Sequence, residues 1–212
     1  MGVEEAHSRL IAQAARDALA PLGIRRKGRS RTWLDDQGWW LGLIEFQPSS
    51  WSKGSYLNVG VMWLWDELPY LAYDVGYRVS DFERYEDRAK FEVSAQNVAK
   101  NAAQEASRYR ELFTSPAAAA DYYATLDEPL PGSLLPAGIA LGLVGRSGES
   151  LERFDAFLAV DDDQDWMLEK KNRVRGLRVL LDDHRVFLAS IRGSIAKTRE
   201  LLRLPSLADW PF

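Results

Sequence analysis

The chain has 212 residues, 27 Lys and Arg against 31 Asp and Glu (net charge −4), two histidines and no cysteine. At roughly 150 residues per domain it holds one or two domains, and shares of 46% apolar and 27% charged residues exclude a wholly disordered, collagenous or coiled-coil chain. Lack of cysteine removes disulfides, zinc knuckles, iron–sulfur clusters and thiol nucleophiles, and His7 and His184 leave little for a histidine-rich metal site.

Residues 3–22 read as a helix, because Leu10, Ile11, Ala14, Ala18 and Leu22 recur every three or four positions and Pro21 with Gly23 closes the run. The period then falls to two. Residues 29–34, 39–47 and 56–65 are rich in aromatic and β-branched or large apolar side chains and are bounded by turn residues, which predicts strands. Residues 35–38, ending in Gly38, make a first hairpin, and 48–55 make a longer second one. A further strand is expected around 71–79. Such short connections require antiparallel pairing, since parallel strands need a crossover.

From Arg88 the period is helical again, with Phe91, Ala95, Val98, Ala102, Tyr109 and Phe113 on one stripe. Ser115 and Pro116 read as the N-cap and first position of another helix ending near Leu126. Pro129, Pro131, Gly132 and Pro136 read as a linker. Two short helices, 137–144 and 151–160, then flank a turn at 145–148, and 166–181 and 184–202 form a closing helical pair. The expected fold is α+β: an N-terminal helix, an antiparallel sheet of about four strands, and a helical C-terminal half. The sheet region covers 1–87, and the helical region 88–212 packs on it as one compact unit.

The opening residues are acidic and carry no apolar run, unlike a secretory leader. The longest near-apolar stretch, 134–144, falls short of the about 20 residues a bilayer span needs. A cytoplasmic protein without membrane association is expected. Charge is uneven: +2 over residues 1–65, −11 over 66–165 and +5 over 166–212. An acidic middle argues against a general nucleic-acid binder. The one basic run, 25–31, places Arg25, Lys27, Arg29 and Arg31 on one face if it is a strand. With Trp33 that face can grip a phosphate or a single strand through Arg25, Arg29 and Arg31, or simply protect a sheet edge by charge.

Motifs for chemistry fail one by one. Asp161, Asp163 and Asp165 have the spacing that opens a calcium loop, but Trp166 and Asn172 stand where it needs glycine and a bidentate acid. Acids there suit the positive end of a helix dipole. The glycines of 142–148 lack the Lys-Ser/Thr ending of a phosphate loop, and neither GxSxG nor HExxH occurs. Asp183 and His184 are neighbours in sequence and do not face each other on a helix. No cofactor or metal is implied.

The tryptophans are the unusual feature: six of eight (Trp33, Trp39, Trp40, Trp51, Trp63, Trp65) fall within 33 positions. One face of each central strand is fully apolar (Trp40, Gly42, Ile44, Phe46; Leu57, Val59, Val61, Trp63, Trp65). The opposite face is mixed, apolar at one end and polar at the other, where a water-facing sheet shows a plainly polar set. Glu45, Gln47, Tyr56 and Asn58 gather at the hairpin end, with Ser50, Trp51 and Lys53 in the loop above. Aromatic walls with a few polar groups describe a small-ligand site or a protein-partner hot spot; buried polar groups satisfying a Trp-rich core fit the pattern too. Trp40, Trp63 and Trp65 read as core, Trp33 and Trp39 as open between core and second face, and Trp51 as the functional candidate. Gly42 and Gly60 can admit a close neighbour.

These residues also carry a family resemblance. A helix, then 21–24 with basic residues, Trp33, the run 46–50 and the run 57–60 resemble the bacterial family called domain of unknown function 4304, over about residues 5–80. Gln47, Ser50 and Asn58 in that order are its most specific part. Ile24 departs from the family's usual Phe, and Pro48 stands where a basic residue is common. The resemblance implies the α+β fold and no activity.

A non-catalytic binding or regulatory protein is therefore expected, recognising a protein or small molecule through Glu45, Gln47, Ser50, Trp51, Lys53, Tyr56 and Asn58. The alternatives are a hydrolase or transferase with Glu45 as acid/base and Lys53 or Arg31 holding an anion, and a single-strand nucleic-acid binder.

Overall fold

A computed structural model describes residues 3–126, 130–210 and 212. The helical spacing near the N-terminus produces α1 (Val3–Leu19), which tightens into a 3-10 turn at Ala20–Leu22. Gly23 ends it at φ 78, its amide donating back to the Ala20 carbonyl, a left-handed stop that suits glycine. Five strands follow: β1 (Arg25–Arg26), β2 (Thr32–Asp36), β3 (Trp40–Gln47), β4 (Gly54–Trp63) and β5 (Val75–Arg84). They form one meander in the order β1-β2-β3-β4-β5, so the fold is α+β with an antiparallel sheet and a helical C-terminal half.

The basic run is not one strand. Only Arg25 and Arg26 pair with β2, and the chain turns at Gly28 (φ 55). The Lys27 amide donates to the Thr32 carbonyl, and the Arg26 side chain donates to the carbonyls of Arg29 and Ser30. A tight turn therefore replaces the alternating face expected for Arg25, Lys27, Arg29 and Arg31. The final expected strand lies later in the chain, at Val75–Arg84, because residues 64–74 leave the sheet.

Seven helices are described. After α1 come α2 (Arg88–Leu112), α3 (Pro116–Ala124), α4 (Pro131–Leu143), α5 (Ser147–Leu158), α6 (Asp165–Leu180) and α7 (His184–Leu201). Ser115 caps α3 by accepting from the Ala118 amide, and Asp183 caps α7 by accepting from Arg185 and Val186. The expected linker is corrected: Pro131 is the first residue of α4 and Pro136 lies inside it, while Pro129 falls outside the described residues. Pro131 gives up an amide that a helix start leaves unpaired anyway. Residues 134–143 are buried without exception, so burial outweighs the cost of Pro136. Gly138 and Gly142 explain why the helix is not bulkier: a Cβ there would stand 2.4 Å from the Phe154 ring and 2.6 Å from the Phe187 ring. These glycines let α4 lie against α5 and α7.

The contacts divide the chain into two units. One runs to Met62 and takes in Val75–Glu111; the other holds Trp63–Asp74 and the described residues from Leu112 onward. Helix α2 thus belongs with the sheet it follows.

In the first unit, α2 is fixed over one sheet face by a buried ion pair. Trp33 pairs with Ile44 and Asp35 with Gly42, so these four share that face. Asp35 is 2% exposed and receives two bonds from the Arg110 guanidinium, at 2.6 and 2.7 Å. Arg110 also donates to the Leu22 carbonyl at 2.8 Å. Gly42 makes the room: a Cβ there would stand 2.8 Å from the Cβ of Asp35. Its close neighbour is therefore an adjacent strand's side chain. Trp33, Trp39 and Trp40 are all buried.

In the second unit the aromatic cluster is built on the end of β4. Trp63 stacks on Trp65 (4.8 Å between ring centroids, 14° between planes) and takes the edge of Phe113 at 4.9 Å. Its indole N–H donates to the Tyr123 hydroxyl at 2.7 Å. Trp63 and Trp65 are core residues.

Candidate functional site

The segment leaving β4 passes through a 3-10 turn at Leu64–Asp66, and Glu67 takes a left-handed conformation (φ 53). Charges from the last two helices hold it. Asp66 accepts from Lys170 at 2.7 Å and from Arg173 at 2.9 Å, both on α6. Arg173 reaches the Trp65 carbonyl as well. Glu67 accepts from Ser194 and from Lys197 of α7, each at 2.7 Å. Burial pushes the Glu67 carboxyl up, but those two bonds and the nearby Arg173 charge more than reverse it, leaving it below the usual carboxylate range. The turn is thereby fixed and presents Asp66 and Trp65 to one side.

At the end of the same segment, Asp74 folds back. Its Oδ2 accepts the Trp63 amide at 2.7 Å, and among the described residues no donor reaches Oδ1. The residue is half-buried, with its carboxylate turned inward onto the Trp63 backbone. Burial is the main cause that pushes this carboxyl up to about 7; the Asp66 charge adds to it, and the Trp63 amide and Lys170 oppose it. The Tyr123 phenol is pushed up by its own burial and then by the Asp74 charge.

Asp66 and Asp74 line a cavity of about 320 Å³. Trp65, Leu135, Pro136, Phe157 and Met167 give it apolar walls. Trp166, 49% exposed, stands at it with its indole N–H held by Gln164 Oε1 at 2.8 Å. Asp161, Asp162 and Lys170 complete the polar lining. A wider groove of about 930 Å³ shares Asp66, Asp74, Gly132, Trp166 and Lys170 and adds the exposed Tyr70 and Tyr73. Apolar walls, a few converging polar groups and one strongly perturbed carboxyl are the physical marks of a ligand site.

The residues expected from sequence fall into two sets in the first unit. Glu45, Gln47, Tyr56 and Asn58 do come together, half-buried on the second sheet face. Asn58 Nδ2 donates to Gln47 Oε1 at 3.0 Å and to Glu45 Oε2 at 3.2 Å. Arg78 of β5 joins them: it donates to Gln47 Oε1 at 3.1 Å and lies 4.0 Å over the Tyr56 ring. The polar groups thus satisfy one another. At the other end of this face Leu41, Leu43 and Met62 are buried. Ser50, Trp51 and Lys53 are exposed in the hairpin loop, Trp51 at 94%; its amide is held by Ser49 Oγ at 3.1 Å. Gly54 pins the loop's end, since a Cβ there would meet the Glu83 carbonyl at 2.1 Å. Of the basic candidates, Arg25 and Arg29 are exposed, and half-buried Arg31 donates to Ser8 Oγ at 2.6 Å. Burial and the Arg26 charge hold the Arg31 guanidinium below its usual pKa.

Sequence reasoning missed Arg78, Asp66, Asp74, Trp166 and Lys170. One signal was available for the cavity: Trp166, Lys170 and Arg173 recur at helical spacing on an otherwise polar helix. Nothing local marks Asp74, whose environment is made by α4, α5 and α6.

Among the described residues no three His, Asp or Glu side chains are gathered to hold a metal ion, and no helix is long and apolar enough to cross a membrane. No family model matches the chain, and neither does any curated protein or solved structure compared with it.

Proposed function

We propose that this is a non-catalytic binding protein whose ligand is a small molecule held in the cavity of the second unit. The observation that carries the reading is the Asp74 carboxylate: half of it is fixed by the Trp63 amide, and its other oxygen is left for a ligand among aromatic walls. A cavity near the lower end of the roughly 300–1,000 Å³ range suits a small ligand rather than a macromolecule. Absence of cysteine fits a cytoplasmic setting. Kinship with the 4304 family, carried by Gln47, Ser50 and Asn58, belongs to the same proposal.

Gly132 supplies the test. It lines the cavity, has an ordinary φ, and a Cβ there meets nothing within 4 Å. Gly132→Phe therefore adds a ring at the cavity's lining with no clash at its Cβ, and is expected to fold and to obstruct the site. In a ligand-observed NMR screen of small aromatic fragments, binders of the wild type are lost in Gly132→Phe and kept in Trp51→Ala. Binders kept in Gly132→Phe and lost in Trp51→Ala would move the site to the hairpin.

That second reading, partner recognition at the sheet end, is favoured by one observation: the 94% exposed Trp51 stands in the loop that joins the strands carrying Gln47 and Tyr56. The alternative of Glu45 as acid/base has less support, since Glu45 accepts from Asn58 within a satisfied cluster. Single-strand nucleic-acid binding lost its motivating face when the basic run folded into a turn.

A further inference from the structure

Resting on the cavity reading above, the geometry points to the ligand's chemistry: we infer that the site takes a protonated amine carrying a compact apolar or aromatic body. The ammonium sits at Asp74 Oδ1, and the body lies against Trp166 and the Phe157–Met167 wall.

Charge comes first. Four carboxylates line the cavity (Asp66, Asp74, Asp161, Asp162) against one ammonium, Lys170. Lys170 and Arg173 are both bound to Asp66, so that carboxylate is already matched. Asp161 is exposed, and half-buried Asp162 uses Oδ1 to accept the Gln164 amide at 3.0 Å. Asp74 is different: half-buried, held through one oxygen by a neutral backbone N–H, and in no ion pair among the described residues, the nearby Lys170 being bound to Asp66. A carboxylate drawn part-way out of water without a bonded cation is costly when ionised. A ligand ammonium removes that cost, and an anionic ligand adds to it. A neutral ligand gains only a hydrogen bond.

The walls agree with this choice. An indole face attracts a cation through its quadrupole, and the attraction strengthens when water is excluded. Trp166 offers a half-exposed indole whose N–H is already occupied by Gln164, which fixes the ring and leaves its faces for contact. Phe157, Met167, Leu135 and Pro136 supply apolar surface for the rest of the molecule. An amine with one or more N–H bonds can donate to Oδ1; a quaternary ammonium cannot. The titratable groups facing Asp74 are Asp66 on its own segment, Lys170 on α6 and Tyr123 on α3. Lys170 is held by Asp66 and is not displaced by the ligand.

The test uses three probes of one shape on the full chain near pH 8: phenethylamine, neutral 2-phenylethanol and anionic phenylacetate. Binding is read from the indole N–H signal of Trp166. The expected result is that phenethylamine shifts this signal, binding about tenfold or more tighter than the alcohol, and that phenylacetate does not bind. Asp74→Asn removes the amine's advantage and leaves the alcohol unchanged. Should that variant not fold, the wild-type series decides by itself; in Trp166→Ala, with binding followed on the probe's own NMR signals, a weakened hold on phenethylamine supports the indole contact and an unchanged one overturns it. Equal binding of amine and alcohol, or preferred binding of phenylacetate, overturns the amine assignment and leaves the cavity as a ligand site. If no probe moves Trp166, both fall.

Discussion

Replacing Asp74 by Asn has a consequence for stability that depends on pH in a calculable way. An ordinary Asp side chain titrates near 3.8, and burial pushes this one up to about 7. Between those values the folded protein keeps a proton that the unfolded chain has released. Stability is therefore highest below the unfolded value, falls as pH rises through the window, and levels off above about pH 7. At about 1.4 kcal/mol per pH unit, the difference amounts to about 4 kcal/mol. Asp74→Asn has no carboxyl to ionise and keeps an oxygen for the Trp63 amide. Its stability matches the wild type near pH 4 and exceeds it by about 2–4 kcal/mol near pH 8, the lower figure allowing for relaxation and water entry. Urea unfolding followed by tryptophan fluorescence, at steps from about pH 4 to pH 8, measures both curves. Parallel curves for wild type and variant would refute the reasoning, because they would mean that Asp74 ionises as a solvent-exposed Asp does.

Three further outcomes follow from the packing. Arg110→Ala strands the buried Asp35 carboxylate and removes a tie to the Leu22 carbonyl; it costs about 3 kcal/mol, the low end for such a pair because Arg110 keeps 31% side-chain exposure. A denaturation midpoint unchanged by this variant would contradict the pair's role. Gly132→Ala, at a helical position with open space, stabilises by about 0.5–1 kcal/mol by restricting the unfolded chain, read as a raised melting temperature. Trp51→Ala leaves unfolding within about 0.5 kcal/mol of the wild type, since the ring is 94% exposed, and a large loss would show that the loop packs.

Much of the fold was legible in the sequence because local signals and burial agree there. The change of period from helix to strand near residue 24 and back at Arg88 matches α1, the sheet and α2, and Ser115-Pro116 opens α3 as its cap chemistry requires. The two failures come from tertiary context. Pro131, Gly132 and Pro136 look like a linker until Gly138 and Gly142 are seen against Phe154 and Phe187, when the same composition becomes a closely packed buried helix. Arg25–Arg31 alternates like a strand, yet Gly28 and the carbonyls held by Arg26 fold it into a turn.

The candidate site divides in the same manner. Glu45, Gln47, Tyr56 and Asn58 meet because strand register and hairpin position are local properties, and these were readable. Arg78, which completes their hydrogen bonds, arrives from β5 across the sheet. The cavity was not readable at all. Asp74 acquires its burial from the Trp63 amide eleven residues earlier and from helices that begin at Pro131, Ser147 and Asp165. No spacing in the sequence encodes that meeting.

The most direct test of the account is where a small amine perturbs the protein. Backbone and indole chemical shifts recorded with and without phenethylamine map the answer residue by residue. With the amine held in the cavity, the largest changes converge on Trp65, Asp74, Trp166, Met167 and Lys170. Changes converging on Trp51, Tyr56, Asn58 and Arg78 instead, with the cavity residues unmoved, would contradict it.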